Sequence, residues 1–503
     1  MEPQDSRTTI GALPEMEKST STVPATLTRL VWLLWVLALG VLVVWSLADT
    51  SWKSFGAVAV DGFTLLMWVI VTFFSGIVHS YSRRYMAGDR EVDRFFAGVF
   101  AFTLSVMVLV AANHLALFVA VWLAMGLVMA NLIGHVRNWQ QARAAAGLAR
   151  RYFLASGTLV AVAVVALWSA TGATTVSGVT SAVETLPAAI WLVAAGALLL
   201  AAMIQSALIP FHTWLLSSMT APTPASALMH AGFVNAGAVL LVRFAPVVSA
   251  DARFMLLVVV VGAISALAGK LLKSVRPDVK GQLGCSTVGQ MGFMIMQAGL
   301  GFFGAAVTHL ILHGFYKAYQ FLSAGARVER TSPPGVEGMA AASGKSRTLR
   351  SPVDLAVTVV TALLGGALFA LLTGKGTSPD SGLLLALLVV LTTFHATRTT
   401  LRNASLPPAA RYGAVPLLFL PAIALYGVAY TTVVGLMSGL PVVTAPAQLT
   451  AAHGVVATAF VAAYVAIEAG LYRHSKRLYA TFLNATWSPS GTVLTSTEEY
   501  DDY

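Results

Sequence analysis

Cysteine and charge are both scarce in this chain of 503 residues. Cys285 is the only cysteine, which excludes a disulfide bond, a thiolate zinc site or an iron–sulfur cluster formed within the chain. Asp, Glu, Lys and Arg make up 10% of the residues, whereas ordinary soluble domains contain about 25%. Neither a glycine-rich nucleotide loop nor a cleavable signal peptide is recognisable. We therefore expect no soluble catalytic domain and no enzymatic activity in this chain.

Apolar residues dominate the composition instead. They form 57% of the chain, and the mean hydropathy is +0.77. A helix that crosses a bilayer needs about 20 consecutive apolar residues, and inside the bilayer every backbone polar group must be paired. The sequence therefore predicts an all-α polytopic membrane protein with about 14 transmembrane helices. The predicted spans are 30–47, 58–79, 95–112, 114–133, 152–170, 187–208, 222–245, 254–273, 282–300, 302–324, 352–373, 381–400, 413–437 and 450–472.

The positions of the basic residues predict the orientation of these spans. The net charge is +10, but the 31 Lys and Arg residues lie mainly in short loops rather than on one amphipathic face, so nucleic acid is not an expected partner. With alternating spans, all but five of them fall on the side that holds both termini. The positive-inside rule makes this side the cytoplasm. The five exceptions are Lys53, Arg243, Arg253, Lys317 and Lys375.

The same pattern divides the chain into five parts. Residues 1–29 are polar and are expected to form a disordered cytoplasmic segment, which leads into a transmembrane core over 30–324. The stretch 325–351 is rich in Gly, Ser and Arg and is expected to be a cytoplasmic linker. Further transmembrane helices follow over 352–472. The remaining segment, 473–503, ends in acidic residues and is expected to be a solvated cytoplasmic tail or an interaction segment.

One apolar helix carries His309, His313 and Lys317 four residues apart. This spacing keeps the three side chains near one helix face and spreads them over about 12 Å. Ionisable residues at bilayer depth are costly unless paired or hydrated, so they are candidates for an ion pathway. Because histidine titrates near neutral pH, such a row can pass protons through intervening water. The competing interpretations are that neighbouring helices simply satisfy each group, or that the histidines bind a metal. A third metal ligand is missing nearby and Lys317 would repel a cation, so no metal site is expected.

A second stretch combines helix-breaking and polar residues. Pro210 is expected to end or unwind the helix that precedes it, leaving carbonyls that must be satisfied in protein or in water-lined space. His230 and Asn235 follow in the next span, where they either join a polar pathway or belong to close helix packing. Lys270, near the cytoplasmic end of a further span, is either part of the pathway or a lysine that reaches to the interface.

At these residues the chain resembles the antiporter-like membrane subunits shared by respiratory complex I and multisubunit cation/proton antiporters. The resemblance covers roughly residues 58–345 and implies an inverted-repeat bundle with broken helices. The motifs that carry it are DGFTLLMWVIVTFFSGIVHSYSRRYMAGD (61–89), PFHTWLLSSMTAPTPASALMHA (210–231), DVKGQLGCSTVGQMGFM (278–294) and HLILHGFYKAYQFLSAG (309–325). Within this superfamily, HAGFVNAGAVLLVRFAP (230–246) and STVGQMGFMIMQAGLG (286–301) look most like the DabB family, membrane subunits of inorganic-carbon transporters.

Departures from the superfamily pattern favour the DabB assignment. Antiporter-like subunits carry a glutamate directly after a tryptophan in an early helix, whereas Trp122 is followed here by Leu123. Gln205 stands where they carry a lysine in the broken helix, and a later lysine has no clear counterpart, although Lys375 is nearby. The expected pathway residues are His230, His309, His313, Lys317, Asn235, Gln205 and Lys270.

The resemblance also implies partners and a location. The chain is expected to conduct cations, protons or sodium, across a bacterial cytoplasmic (inner) membrane. Its expected partner is a DabA-like soluble subunit, similar to zinc-dependent carbonic anhydrases, with which it would convert CO₂ to bicarbonate. Zinc and the hydration step would then belong to the partner, with no cofactor and no catalytic residue in this chain. The alternatives are a complex I or Mrp-type proton or sodium antiporter subunit and a non-conducting membrane anchor.

Overall fold

The computed structural model describes residues 21–48, 56–276, 278–325, 352–401, 407 and 410–485. These residues form helices, and the only β-pairs among them are isolated bridges, which confirms the all-α fold. The helices before residue 326 are α1 (Val23–Ala48), α2 (Gly62–Tyr85), α3 (Val92–Ala111), α4 (Leu115–Ile133), α5 (Gln140–Thr171), α6 (Val176–Ser181), α7 (Ala188–Gln205), α8 (Thr213–Ser217), α9 (Thr223–Ala231), α10 (Ala236–Arg243), α11 (Ala245–Ser249), α12 (Ala252–Val275), α13 (Val279–Gly299) and α14 (Phe303–Leu322). The later helices are α15 (Pro352–Thr373), α16 (Gly382–Leu401), α17 (Val415–Leu436), α18 (Ala451–Glu468) and α19 (Lys476–Ala485).

Both ends of the described chain are more helical than the sequence indicated. Helix α1 begins at Val23, inside the segment for which we expected disorder, and Ser21 accepts a hydrogen bond from the Val23 backbone N–H at 3.2 Å. A proline at position 24 is tolerated because the first helical turn has no intrahelical partner for its N–H. Helix α19 lies within the expected tail. Residues 1–20, 326–351 and 486–503 lie outside the described residues, so the expectations for them stay predictions.

Twelve helical segments of the described chain are long and apolar enough to cross a membrane. The predicted number was about 14, and the two further spans of that count correspond to α13 and α14. These two are 21 and 20 residues long, which is enough to span a bilayer, but they carry more polar residues than the others. The all-helical membrane architecture is thus confirmed, while the number 14 stays a prediction.

The predicted break at Pro210 is confirmed. Helix α7 ends at Gln205, residues 206–212 are not helical, and Ala207 adopts a left-handed backbone conformation with φ of 52°. The Trp214 indole N–H donates to the Ile204 carbonyl oxygen beside this break at 2.9 Å, and the Ser206 hydroxyl within it donates to the Val234 carbonyl oxygen of the next span at 2.6 Å. The broken backbone is therefore buried in protein, as the bilayer requires.

The next predicted span is also interrupted. Helix α9 ends at Ala231, a single 3₁₀ turn follows over Phe233–Asn235, and α10 continues to Arg243. Gly232 begins this interruption, with φ of −124° and ψ of −67°, outside the helical region. The prediction of one continuous helix over 222–245 is therefore wrong at this point.

Helices α12 and α13 approach each other through glycines. A Cβ added to Gly292 would lie 2.5 Å from the Ala266 backbone nitrogen and 2.7 Å from the Gly262 carbonyl oxygen. Such close backbone contact is possible only with small residues, which is how membrane helices commonly associate. This packing fixes the position of α13, whose side chains contact those of α14 at the candidate site.

Replacing Gly292 with Val should destabilise the protein strongly, because the obstructing atoms belong to the backbone of α12 and cannot rotate away. We expect a loss of about 3 kcal/mol in the free energy of unfolding, the upper end for overpacking. Thermal unfolding in detergent measures it, with Gly196→Val as the control, since a Cβ on Gly196 meets nothing within 4 Å. Equal stability of the two variants would contradict the close approach of α12 and α13.

The expected orientation can be tested by cysteine labelling, because the native Cys285 is buried and should react slowly. Ser177 is exposed in α6, and a cysteine there should react with a membrane-impermeant maleimide added outside the cell. A cysteine at Ser343, which lies outside the described residues, should react only after the membrane is opened. The reverse pattern would place both termini on the outside.

Candidate ion pathway

Helix α14 carries the row of ionisable residues into the interior of the bundle. Lys317 is fully buried and His313 is 4% exposed. The Lys317 Nζ donates a hydrogen bond to the Leu283 carbonyl oxygen of α13 at 3.0 Å. Gly314 lies on the same helix against α9, where an added Cβ would be 3.1 Å from the Ala231 carbonyl oxygen. The close packing of α14 against α9 and α13 therefore holds the row at depth.

His230 of α9 reaches the same turn of α13 from the other side. Its Nδ1 lies 2.9 Å from the Thr287 hydroxyl, which in turn donates to the Leu283 carbonyl oxygen at 2.9 Å. The imidazole stacks on Phe321 with ring centroids 4.3 Å apart, so its orientation is fixed. Lys317 and His230 thus meet at one turn of α13, joined by Thr287, which the sequence analysis did not single out.

His309 is held between two glutamine side chains of α13. Its Nδ1 lies 3.0 Å from the Gln297 Oε1, and its Nε2 lies 2.9 Å from the Gln290 Oε1. A neutral imidazole has one N–H donor and one acceptor, whereas the charged form has two donors. A glutamine amide can offer either its oxygen or its NH₂ group, so the two glutamines can hydrogen-bond His309 in both its neutral and its charged form.

His313, one turn further along α14, is differently placed. Its ring centroid lies 6.0 Å from that of His309, and neither of its nitrogens has a hydrogen-bond partner among the described residues. Such a buried polar group needs a partner, and water is the usual one in a cavity with room for it. A cavity beside His313 that holds water would therefore supply the hydrogen-bond partners of its ring nitrogens.

Two cavities lie near the row of ionisable residues on α14. One of about 440 Å³ is lined by His309 and His313, and another of about 410 Å³ is lined by Lys270 and His395. Gln290 lines both of them. Since one water molecule occupies about 30 Å³, each cavity has room for several. The two cavities meet at Gln290, which contacts His309, and the second cavity leads from there towards the C-terminal helices.

Lys270 is part of an ion cluster rather than a lysine that only reaches to the interface. Its Nζ lies 2.6 Å from a carboxylate oxygen of Glu468 at the end of α18 and 4.4 Å from the ring centroid of Tyr464. The same carboxylate lies 3.1 Å from the His395 Nδ1 and 3.9 Å from Arg398. Sequence reasoning did not place Glu468 beside Lys270, and the only signal for this contact was an acidic residue close to the end of an apolar span.

Gln205 and Asn235 are buried at the interrupted helices, 1% and 2% exposed. Asn235 donates to the Ala231 carbonyl oxygen at 2.7 Å and lines a cavity of about 40 Å³. Within the described part of the chain, no hydrogen bond joins either residue to His309, His313 or Lys317. The structure therefore brings together His230 and Lys317, places His309 and His313 beside one shared cavity, and leaves Gln205 and Asn235 apart from them.

Asp61 and Arg243 form a second partly buried ion pair, which was not predicted from the sequence. The Arg243 Nη1 lies 2.7 Å from Asp61, and Asp61 also caps α2 by accepting from the Thr64 backbone N–H at 2.7 Å. Burial alone would raise the pKa of the Asp61 carboxyl, but Arg243 and Thr64 outweigh it and hold the pKa below the ordinary value of an aspartate. We assign this pair to the attachment of α2 to α10.

The described residues contain no group of three or more His, Cys, Asp or Glu side chains placed to bind a metal ion. The pair His309 and His313 has glutamine neighbours and Lys317 rather than a third metal ligand. That this chain needs no metal or cofactor of its own stays a prediction.

Comparison with known families agrees with this geometry. Residues 112–406 match the model of the transmembrane family of NADH:quinone oxidoreductases and Mrp antiporters. Residues 53–96 match the model of the N-terminus of complex I chain 5.

Individual relatives include several inorganic carbon transporter subunits. The chain is 39% identical over 294 residues to "probable inorganic carbon transporter subunit DabB1" of Halothiobacillus neapolitanus, covering 56% of this chain and 52% of that protein. It is 38% identical over 273 residues to the DabB subunit of Bacillus subtilis, covering 54% of each. NADH-quinone oxidoreductase subunit L of Mycobacterium tuberculosis is 34% identical over 273 residues, 53% of this chain and 43% of that one. The chain therefore matches about half the length of these curated relatives.

Solved structures show the same fold. The Mrp complex of Dietzia sp. DQ12-45-1b aligns with a TM-score of 0.56 at 22% identity, over 92% of this chain and 50% of that chain. The archaeal membrane-bound sulfane sulfur reductase aligns with a TM-score of 0.55 at 16% identity, over 94% and 95% of the two chains. The chain thus belongs to the transmembrane family of NADH:quinone oxidoreductases and Mrp antiporters, and the resemblance to DabB subunits expected from its sequence is confirmed.

Proposed function

We propose that this chain is the cation-conducting membrane subunit of an inorganic-carbon uptake complex, with protons as the carried ion. The observation that carries the proposal is the row on α14, where Lys317 and His230 meet at one turn of α13 while His309 and His313 line one cavity. A buried lysine and three buried or half-buried histidines are costly to keep at bilayer depth, so a structural role alone explains them poorly. The similarity to DabB subunits supplies the link to inorganic carbon.

The conduction step follows from the chemistry of these side chains. A proton added to neutral His309 gives an imidazolium, and its release towards His313 restores the neutral ring. Water in the cavity beside both rings is the carrier between them, since their centroids are 6.0 Å apart. Lys317 accepts or releases the proton at its Nζ and, when charged, is stabilised by the Leu283 carbonyl oxygen.

A complex I or Mrp-type antiporter subunit is the alternative function. Against it, Leu123 occupies the position of the expected glutamate and packs onto Gly157 of α5. Leu123 also lines a cavity of about 510 Å³ whose other lining residues include Val119, Val165 and Trp168, so the surroundings are apolar. His114, at the start of α4, is the one ionisable residue among the described residues that line this cavity, so no carboxylate is present there for an ion pathway of the antiporter type.

The proposal includes a soluble partner similar to zinc-dependent carbonic anhydrases. Hydration of CO₂ by water yields bicarbonate and one proton, and zinc in the partner would activate that water. Bicarbonate is charged and does not cross the membrane readily, so it is retained in the cytoplasm. Protons that pass through this chain would supply the free energy. Both termini and the partner are assigned to the cytoplasmic side of the inner membrane.

Affinity purification of the chain from its own membranes tests the proposal. We expect a large soluble zinc-containing protein to co-purify, with zinc measured in the same fractions by elemental analysis. If complex I or Mrp subunits co-purify instead, the antiporter alternative is correct. If the chain purifies alone from freshly solubilised membranes, the two-subunit proposal fails.

A further inference from the structure

A second charged cavity lies away from the pathway, where α3 begins, α4 ends and α5 begins. Its volume is about 640 Å³. Four arginines line it, Arg94, Arg137, Arg143 and Arg150, and no acidic residue is among the described residues of its lining. These helix ends all belong to the side that we expect to face the cytoplasm. This cavity takes no part in the proposed ion pathway, and the family resemblance implies no role for it.

The arginines differ in how firmly they are held. Arg94 donates to the His135 carbonyl oxygen at 2.6 Å and pairs with Glu91 at 2.9 Å, so its guanidinium is fixed. Asp89, another nearby acid, lies 3.2 Å from the His135 Nε2, and Asp93 accepts a hydrogen bond from the Ser21 hydroxyl at 2.6 Å. Arg137 and Arg143 are exposed at the rim. The three neighbouring acids are therefore engaged elsewhere or with a single arginine, and the cavity keeps an excess of positive charge.

The deeper part of the cavity is apolar and lined by small residues. Ala97, Gly98 and Ala101 of α3 lie there, and at 1.5 Å per residue Ala101 is about 10 Å further into the bundle than Arg94. Gly147 of α5, one turn from both Arg143 and Arg150, faces open space at the level of the rim, since a Cβ built on it meets nothing within 4 Å. The cavity thus combines a cationic rim with an apolar, unfilled groove between membrane helices.

We propose that this cavity binds one anionic phospholipid, with the phosphate at the arginines and an acyl chain along Ala97, Gly98 and Ala101. Guanidinium groups bind phosphate oxygens in pairs, and basic pockets between transmembrane helices on the cytoplasmic side suit anionic headgroups. The small apolar residues favour a lipid over a free phosphate, because a soluble phosphate would contact only the arginines at the rim. The phospholipid holds α3, α4 and α5 together at their cytoplasmic ends.

Native mass spectrometry of the full-length chain in detergent, with added phosphatidylglycerol, phosphatidylcholine or inorganic phosphate, tests the proposal. We expect wild type to retain phosphatidylglycerol and not phosphatidylcholine. Arg143→Gln/Arg150→Gln should bind phosphatidylglycerol about 30-fold more weakly, as expected for two lost contacts of a basic side chain with an anionic headgroup. Arg83→Gln/Arg84→Gln, two exposed arginines of α2 outside the cavity, should bind as wild type does.

Two variants separate a lipid from a free anion. Ala101→Leu fills the apolar groove away from the arginines and should displace phosphatidylglycerol, whereas Gly196→Leu, in open space outside the cavity, should not. If inorganic phosphate binds and Ala101→Leu leaves phosphatidylglycerol binding unchanged, the site takes small anions and the lipid proposal is overturned. Equal retention of both phospholipids, or unchanged binding by the arginine variant, overturns it as well.

Discussion

Replacing Lys317 with Ala should abolish growth that depends on inorganic-carbon uptake at ambient CO₂, without preventing insertion or assembly of the protein. The substitution removes the one fully buried lysine of the pathway and its hydrogen bond to the Leu283 carbonyl oxygen. Little apolar packing is lost, and a neutral residue at bilayer depth relieves a costly buried charge. We expect the uptake rate to fall by about 100-fold, the lower end of what a positioned proton-transfer group contributes.

His313→Ala should have a similar effect, since His313 lines the same cavity as His309 and is the next group in the row. Lys476→Ala is the matched control, because it removes a lysine that is exposed on α19. Growth in air and the amount of assembled protein in the membrane are measured together. Normal growth of both assembled pathway variants would show that the row does not carry the ion, and the anchor interpretation would then be favoured.

Glu468→Gln should lower the stability of the protein more than removal of the whole ion pair does. The substitution leaves the Lys270 ammonium 2.6 Å from a neutral amide, and Arg398 and His395 also lose their carboxylate. Breaking a fully buried pair costs about 3–5 kcal/mol. Because the two side chains are 24% and 15% exposed, we expect about 1–3 kcal/mol here. The change in the free energy of unfolding is measured in detergent.

The double variant Lys270→Gln/Glu468→Gln separates stability from conduction. It removes both members of the pair and should recover part of the stability lost in the single variant. Since Lys270 lines the cavity that continues to Gln290 and His309, we expect uptake to stay low in the double variant. Full uptake in a stable double variant would show that the cluster only joins α12 to α18.

The spacing of residues within one helix was enough to predict several parts of the site. The four-residue spacing alone predicts the row on α14, and a proline within an apolar span alone predicts the break after Gln205. Both are local properties of the chain. The interruption at Gly232 was not predicted, because a glycine inside an apolar helix is common in membrane proteins and seldom ends it.

Contacts between distant helices could not be predicted in this way. Lys270 and Glu468 are 198 residues apart, and the sequence carries no sign that α18 returns to α12. Gln290 and Thr287 looked like ordinary polar residues of an apolar helix until the packing of α13 against α9 and α14 placed them beside His309 and His230. Helix α19 in the tail was not predicted because its composition is polar, although Phe482 packs near Leu216 and Cys285.

Proton flux through the purified protein tests the central claim most directly. The full-length complex is reconstituted into vesicles that contain a pH-sensitive dye, and a pH gradient is imposed together with a potassium–valinomycin clamp. We predict rapid acidification of the vesicle interior with the wild-type protein and the slow leak of protein-free vesicles with Lys317→Ala. Equal slow acidification by both proteins, with full insertion confirmed by protease protection, would contradict proton conduction through this chain.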